Sequence, residues 1–335
     1  MNRVLKIAGL IVLSLILLAV IAAAALFFTT AGDYEVPATV SLDPDLPQVE
    51  IDGIKYHAQT FGDVGNPVVI VLHGGPGGDY RSLLGLQDLA DEYYVVFYDQ
   101  RGAGLSERVP AEQLTLQSSL EDLDKFVDLY GQGEAVNLIG HSWGGMLASA
   151  YLGYAPQKVD KAVLAEPGFL NAQEFEDWRA YQGQILSGME YFWVALRSGF
   201  AAQHVDGPDA DARNDFLLGE GILPYFTNHP NNPYHCPGEP FDAPHWRFGA
   251  TASSAIPAAA TEEDLNSLSA QAGEYPKPVL FLAGECDTWI GSELQAKHAA
   301  LYPNAELVVI GKSGHDMFWD NPQETLTAVR AFLGQ

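Results

Sequence analysis

Short, uninterrupted apolar runs alternate with amphipathic segments along most of this chain, and that alternation constrains its fold more than any other feature. Apolar runs of this length are typical of strands buried on both faces of a parallel sheet. Leu116–Tyr130, by contrast, carries apolar side chains at helical spacing. The sequence therefore predicts an α/β fold, a mostly parallel sheet with helices on both faces. The predicted strands are Val68–Leu72, Tyr94–Tyr98, Val136–Ile139, Lys161–Leu164, Val279–Leu282 and Leu307–Ile310, and further helices are predicted at 144–154, 292–301 and 322–333.

Two regions depart from this alternation. Val49–Thr60 alternates polar and apolar residues around Asp52-Gly53, which predicts an antiparallel hairpin. Residues 168–260 are rich in aromatic residues and in Pro/Asn turns, which indicates an inserted, largely helical cap over the carboxyl edge of the sheet. The remaining residues, 48–167 and 261–335, form the predicted core.

The amino terminus is the most apolar part of the chain. Ile7–Phe28 has no charged residue, and as a helix it would span about 33 Å, enough for a hydrocarbon core of roughly 30 Å. Arg3 and Lys6 precede it, so the positive-inside rule places the rest of the chain outside the cytoplasm. We predict a single-pass cell-membrane anchor over 1–28 and a linker over 29–47. A cleaved signal peptide, which would make the protein secreted, is the alternative.

Charge and cysteine content narrow the classes of protein further. Acidic residues outnumber basic ones 43 to 17, a formal net charge of -26, without any Lys/Arg cluster. Nucleic-acid binding through phosphate neutralisation is therefore excluded. Cys236 and Cys286 are too few for a disulfide scaffold or a zinc ribbon, and their pairing stays open, as does the oligomeric state.

A serine stands where a sheet of this kind exposes a nucleophile. Gly140–Gly144 has the form G-x-S-x-G, between the predicted strand Val136–Ile139 and a predicted helix. A tight strand-to-helix turn of this type leaves no room for bulky neighbours and lifts the serine hydroxyl above the sheet. We therefore predict Ser142 as a catalytic nucleophile.

A serine hydroxyl requires a base, and the base requires a third group to hold its tautomer. The order serine, acid, histidine is expected on this architecture. Asp287 and His315 each follow a predicted strand at its carboxyl end, so they are the predicted acid and base. Glu285 and Asp316 are weaker alternatives.

The oxyanion of the reaction needs two N–H donors. We predict the amide of Trp143, directly after the serine, and that of Gly75 in the glycine-rich loop after Val68–Leu72, with Gly74 as a weaker alternative. This chemistry needs no metal or organic cofactor. Its substrate is expected to be a small peptide or acyl compound.

Three motifs together resemble the α/β-hydrolase superfamily, and within it the proline iminopeptidase branch of serine peptidases. They are HGGPG at 73–77, DQRGAGLS at 99–106 and GHSWGG at 140–145, and the resemblance extends over about 48–333. It implies the triad Ser142, Asp287 and His315 and the release of N-terminal residues, often proline, from peptides. It also implies scaffold roles for Asp99 and Arg101.

The cap departs from that branch. Iminopeptidases bind the substrate amine with cap glutamates, one of them in a W-x-x-W-E segment, but the nearest stretch here, 246–251, has no Glu. Glu166 is the predicted substrate-binding carboxylate, with Glu190 or Glu220 as alternatives, because a buried amine needs a charged partner. Without one, the same triad would favour esters, amides or lactones. A non-catalytic binding protein on this fold is the remaining alternative.

Overall fold

A computed structural model of the protein describes residues 2–335 and contains one sheet of eight strands in the order β1-β2-β4-β3-β5-β6-β7-β8. The strands from β3 to β8 pair in parallel, whereas β2 pairs antiparallel with β1 and β4. The mostly parallel sheet predicted from the apolar runs is confirmed. The strands are β1 (Gln48–Ile51), β2 (Ile54–Phe61), β3 (Val68–Leu72), β4 (Tyr94–Tyr98), β5 (Val136–His141), β6 (Val159–Ala165), β7 (Val279–Gly284) and β8 (Ala305–Ile310).

The predicted hairpin is β1–β2. Ile51 pairs with Ile54, and the two turn residues, Asp52 and Gly53, both have positive φ, at 51° and 80°. Glycine and aspartate are among the residues that tolerate this backbone region best, which explains why the chain reverses there.

Helices cover both faces of the sheet, and each covered face is an apolar core. The helix after β4 starts at a capping box, in which Thr115 and Ser118 satisfy each other's backbone N–H groups. The helices are α1 (Asn2–Thr29), α2 (Leu116–Gly131), α3 (Trp143–Tyr154), α4 (Ala172–Ile185), α5 (Gly188–Ala202), α6 (Ala212–Phe216), α7 (Leu223–Thr227), α8 (Ala250–Ala259), α9 (Glu262–Ser267), α10 (Ser292–Ala299), α11 (Met317–Asp320) and α12 (Pro322–Leu333).

The long insertion between β6 and β7 contains α4 to α9 and a π-helical turn at Leu217–Ile222. The predicted cap, 168–260, ends just before α9. That helix also packs on the predicted cap, because the N–H of Ala172 donates to Asn266 Oδ1 at 3.1 Å.

The amino-terminal helix α1 is long and apolar enough to cross a bilayer, and over Arg3–Thr29 its most apolar window has no residue buried in the protein. A signal sequence can also contain a helix that is long and apolar enough to meet this criterion. Apart from Thr29, which ends α1, the predicted linker 29–47 has no helix or strand, yet it packs on the core. Val40 is 1% exposed, and its N–H donates to the carbonyl of Leu105 at 2.9 Å.

Candidate active site

Ser142 lies in the sharp turn between β5 and α3, with φ 54° and ψ -117°. This backbone region is strained for any residue with a side chain, and such strain concentrates at functional sites. The flanking glycines allow the turn: a Cβ at Gly140 would collide with the carbonyl of Gly144, and one at Gly144 with the carbonyl of Leu72. The geometry is that of a nucleophile elbow.

A cavity of about 1200 Å³ lies above this turn, between the sheet and the insertion. Ser142, His315 and the Gly74-Gly75 loop line its floor. Its wall is mainly apolar and includes the aromatic side chains of Phe169, Phe175, Trp178, Phe226, Tyr234 and Phe248. The site therefore combines a reactive floor with a large apolar wall.

His315 lies in the loop between β8 and α11, where residues of the insertion hold it. Its N–H donates to the carbonyl of Tyr234 at 2.7 Å, and the Tyr234 ring stacks on the imidazole at a centroid distance of 4.6 Å. His141 donates from Nε2 to the carbonyl of His315 at 2.8 Å. Burial, followed by the nearby His315, lowers the pKa of His141 to about 3, so His141 stays neutral beside the nucleophile.

The carboxylate that contacts His315 differs from the predicted one. Glu166 Oε2 lies 2.8 Å from His315 Nδ1, whereas Asp287 Oδ2 lies 3.9 Å from the same atom. Asp287 uses its other oxygen to accept the N–H groups of Trp289 and Ile290, at 2.7 and 2.9 Å. Asp287 is thus beside the histidine, but Glu166 makes the hydrogen bond.

Glu166 directly follows β6 and is held in place from two sides. It has a positive φ of 44°, a strained value for a residue with a side chain. Its N–H donates to the carbonyl of Leu282, and its Oε1 accepts the N–H of Gly284 at 2.6 Å. Sequence reasoning named Glu166 for another role, although its place at the end of a central strand was a usable signal.

Glu166, Asp287 and His315 form one electrostatic cluster, with ligand-type atoms within 4.8 Å of one another. Burial raises the pKa of both carboxyl groups, that of Asp287 to about 7 with a further contribution from Glu166. Two buried carboxylates this close resist double ionisation. The pair therefore presents about one negative charge to His315. Its oxygen and nitrogen atoms would also suit a cation, but the Glu166–His315 hydrogen bond accounts for the cluster.

The expected role of Glu166 in binding a substrate amine does not fit this geometry. Glu166 is 0% exposed and does not line the cavity; neither do Glu190 and Glu220. Glu220 instead accepts a hydrogen bond from His245 at 3.0 Å. Asp316, next to His315, does line the cavity, and burial raises its pKa to about 6.

The predicted oxyanion donors lie together at the cavity floor. Gly75 and Trp143 both line the cavity, and across residues 2–335 neither backbone N–H has a hydrogen-bond partner within the protein. Gln100 braces them: its side chain donates to the carbonyl of His73 at 3.0 Å and accepts from Trp143 Nε1 at 2.9 Å. This role of Gln100 was missed, although the residue belongs to the quoted 99–106 motif.

Asp99 and Arg101 are structural, as the resemblance implies. Asp99 is buried and accepts from His57 Nδ1 and from the N–H of Leu105, each at 2.8 Å. Arg101 pairs with Asp122 beneath the loop.

The stretch that departs from the iminopeptidase pattern has a structural function. Arg247 is buried and pairs with Asp215 and Asp209, both at 2.7 Å, and Arg108 binds Asp215 as well. Asp79 accepts the N–H of Arg247 at 3.1 Å. These contacts join the insertion to the core where an amine-binding carboxylate was sought.

The two cysteines pair. Cys236 and Cys286 form a disulfide with an S–S distance of 1.99 Å and a Cα–Cα distance of 4.8 Å. The bond connects the insertion, two residues after Tyr234, to the loop that carries Asp287. It therefore fixes both sides of His315.

Comparison with known proteins agrees with this geometry. The family described as alpha/beta hydrolase fold matches residues 67–322. Proline iminopeptidase of Heyndrickxia coagulans is 39% identical over 126 residues, 36% of this chain and 42% of that protein. Epoxide hydrolase 4 of Homo sapiens is 29% identical over 167 residues, 48% of this chain and 45% of that protein. The chain thus spans less than half the length of either relative.

Solved structures agree on the fold. An N-acyl homoserine lactone degrading enzyme has a TM-score of 0.60 at 21% identity, over 85% of this chain and 100% of that one. The resemblance to proline iminopeptidases inferred from the three motifs is confirmed. With three quarters of the sequence matched by the family and the elbow, cavity and histidine in position, the chain belongs to the α/β-hydrolase family.

Proposed function

We propose that this protein is a serine hydrolase that cleaves carboxylic acid derivatives through an acyl-enzyme on Ser142. The observation that carries the proposal is the strained turn at Ser142, which opens on the same cavity as His315. The similarity to an epoxide hydrolase does not change the proposed reaction, because epoxide hydrolysis would require an aspartate at the position of Ser142.

The geometry supports a complete proton path. Ser142 Oγ attacks the substrate carbonyl while His315 Nε2 takes its proton. Glu166 holds the Nδ1–H and stabilises the imidazolium, and the N–H groups of Gly75 and Trp143 receive the oxyanion. His315 then gives the proton to the leaving alcohol or amine. Water, activated by the same histidine, releases the acyl group.

Apolar esters or lactones are the substrate class that the cavity favours. Its volume, about 1200 Å³, exceeds the roughly 300–1,000 Å³ of most ligand pockets, and its wall is mainly apolar. None of the three carboxylates predicted to bind an amine lines it.

An aminopeptidase of the iminopeptidase type is the second candidate, and Asp316 is the observation that favours it. This carboxylate lines the cavity beside His315, and an ammonium group bound there would offset the burial that raises its pKa.

Two measurements test these proposals. A fluorophosphonate probe should label the wild type and Ser253→Ala, a matched cavity-lining serine, but not Ser142→Ala. Labelling of Ser142→Ala would refute the nucleophile. Turnover of p-nitrophenyl esters is then compared with that of proline p-nitroanilide. Anilide turnover that is lost on acetylation of the proline amine and in Asp316→Asn would establish the aminopeptidase instead.

We also propose that α1 anchors the protein in the cell membrane with the catalytic domain outside the cytoplasm. Arg3 and Lys6 at its start support this orientation. The Cys236–Cys286 disulfide supports it too, because such bonds persist in oxidising compartments. Protease treatment of intact cells should degrade the domain, and alkaline washing should leave the full-length chain in the membrane. Release of a shortened chain would identify a cleaved signal peptide.

A further inference from the structure

Helix α5 is apolar, but its first turns pack little against the rest of the protein. Ten of its fifteen residues are apolar, yet Ala202 alone among them is buried. Met189, Phe192 and Trp193 are 69%, 51% and 54% exposed. An apolar helix ordinarily buries such a surface, and a cluster of large exposed apolar side chains marks an interaction site.

The carboxyl-terminal end of α5 lies against the last turns of α1. His204, just after α5, donates from Nε2 to the carbonyl of Phe27 at 2.7 Å, and the two rings are 4.3 Å apart. The helix that carries these exposed residues thus contacts, at its other end, the helix proposed to cross the membrane.

The segment after α1 fixes this arrangement. The Tyr34 ring lies 4.7 Å from that of Phe216, and the carbonyl of Pro37 accepts from Arg247 Nη1 at 2.9 Å. Non-covalent contacts therefore hold the domain against α1 in addition to the covalent connection. One side of the insertion consequently faces the surface of the membrane that α1 is proposed to cross.

We propose that α5 lies in the interfacial layer of the same bilayer that α1 crosses, with Met189, Phe192 and Trp193 inserted among the lipids. The inference rests on the tether proposed above. Tryptophan and phenylalanine are typical of this layer. Because the chain carries a net charge of -26, attraction to anionic headgroups does not drive the contact; apolar insertion does.

The contact would bring the membrane close to the cavity. Helix α5 packs against the π-helical turn Leu217–Ile222, which continues into α7, and Leu223 and Phe226 of α7 line the cavity. The surface we assign to lipid is therefore separated from the apolar cavity wall by a single helical layer.

The test uses the full chain in phosphatidylcholine vesicles. Both native cysteines are in the disulfide, so Trp193→Cys provides a single thiol for an environment-sensitive fluorophore. Leu301→Cys is the matched control, since Leu301 is 43% exposed and precedes β8, at the edge of the sheet opposite the insertion. With nitroxide-bearing acyl chains, we expect at least about a twofold loss of fluorescence at position 193 and none at 301, unchanged by salt.

Equal, weak quenching at the two positions would overturn the inference. So would a label at 193 that is shielded from water but unquenched by lipid and dependent on protein density, because that result identifies a second copy of the chain as the partner. Flotation of the same vesicles after alkaline washing tests the tether separately. A chain that stays with the vesicles while position 193 remains in water refutes only the role of α5.

Discussion

Replacing Glu166 by glutamine exchanges the carboxyl group that contacts His315 for a neutral amide while nearly preserving the size of the side chain. The glutamine oxygen can still accept the N–H of Gly284, which donates to Glu166 at 2.6 Å in the native protein. Its NH₂ group then faces His315 Nδ1, the position now occupied by Oε2 at 2.8 Å. Two donors oppose each other there, so the imidazole loses the hydrogen bond that fixes its tautomer.

The expected loss follows from that contact. A hydrogen bond to a charged group contributes about 1.5–3 kcal/mol, and the unsatisfied donor adds about 1 kcal/mol. Together they lower kcat by about 10²–10³-fold. Asp287 Oδ2, 3.9 Å from the ring, keeps some negative charge nearby and limits the loss.

The same substitution at the neighbouring carboxylate should cost much less. In Asp287→Asn the amide oxygen still accepts the N–H groups of Trp289 and Ile290. The charge on Glu166 and its bond to His315 remain, so kcat should fall by less than about tenfold.

Steady-state hydrolysis of a p-nitrophenyl ester measures both variants. Glu166 and Asp287 do not line the cavity, so KM should stay near its wild-type value while kcat falls, and thermal unfolding confirms that each variant is folded. A larger loss of kcat in Asp287→Asn than in Glu166→Gln would refute the reasoning, and Asp287 would be the orienting acid that the sequence predicts.

Three further results are expected. Burial raises the pKa of Asp287 to about 7 from roughly 3.9 in the unfolded chain. This group therefore stabilises the fold at low pH, and the stabilisation is lost as the pH rises through about 7. Asp287→Asn should increase the free energy of unfolding by up to about 4 kcal/mol near pH 8 and by little near pH 4. Urea denaturation at the two pH values measures the difference. Reducing the disulfide between Cys236 and Cys286, which are 50 residues apart, should lower stability by about 4 kcal/mol and lower kcat as well; unchanged kcat in dithiothreitol would contradict its role beside His315. Asp215→Ala leaves the buried guanidinium of Arg247 with one fewer partner and should cost about 3–5 kcal/mol, seen as a lower denaturation midpoint.

The sheet was predictable because its strands are buried on both faces. Every residue of β3 and of β7 is buried, so the sequence there is continuously apolar, and β3 begins and ends at the predicted residues. Strand and helix limits also follow from short-range chemistry, such as the glycines around Ser142. Local sequence therefore determines both the core strands and the sharp turn at Ser142.

The acid partner of His315 could not be derived in this way. Glu166 and Asp287 both follow central strands. Their distances to His315 Nδ1 differ by only about one ångström. Which of them bonds to His315 depends on how the two loops pack against each other, for instance on the hydrogen bond that the N–H of Gly284 donates to Glu166. The stacking of Tyr234 on His315 could not be predicted either, because no periodic pattern in the sequence relates residues of the insertion to the imidazole ring.

The insertion and the catalytic loops behave as one unit. Tyr234 lines the cavity and also stacks on His315, and the Cys236–Cys286 bond ties its loop to the one that carries Asp287. A change in the insertion that reshapes the cavity therefore also shifts His315, and kcat and KM are expected to change together. Because disulfides persist in oxidising compartments, the export proposed above would also preserve the bond that joins these two loops.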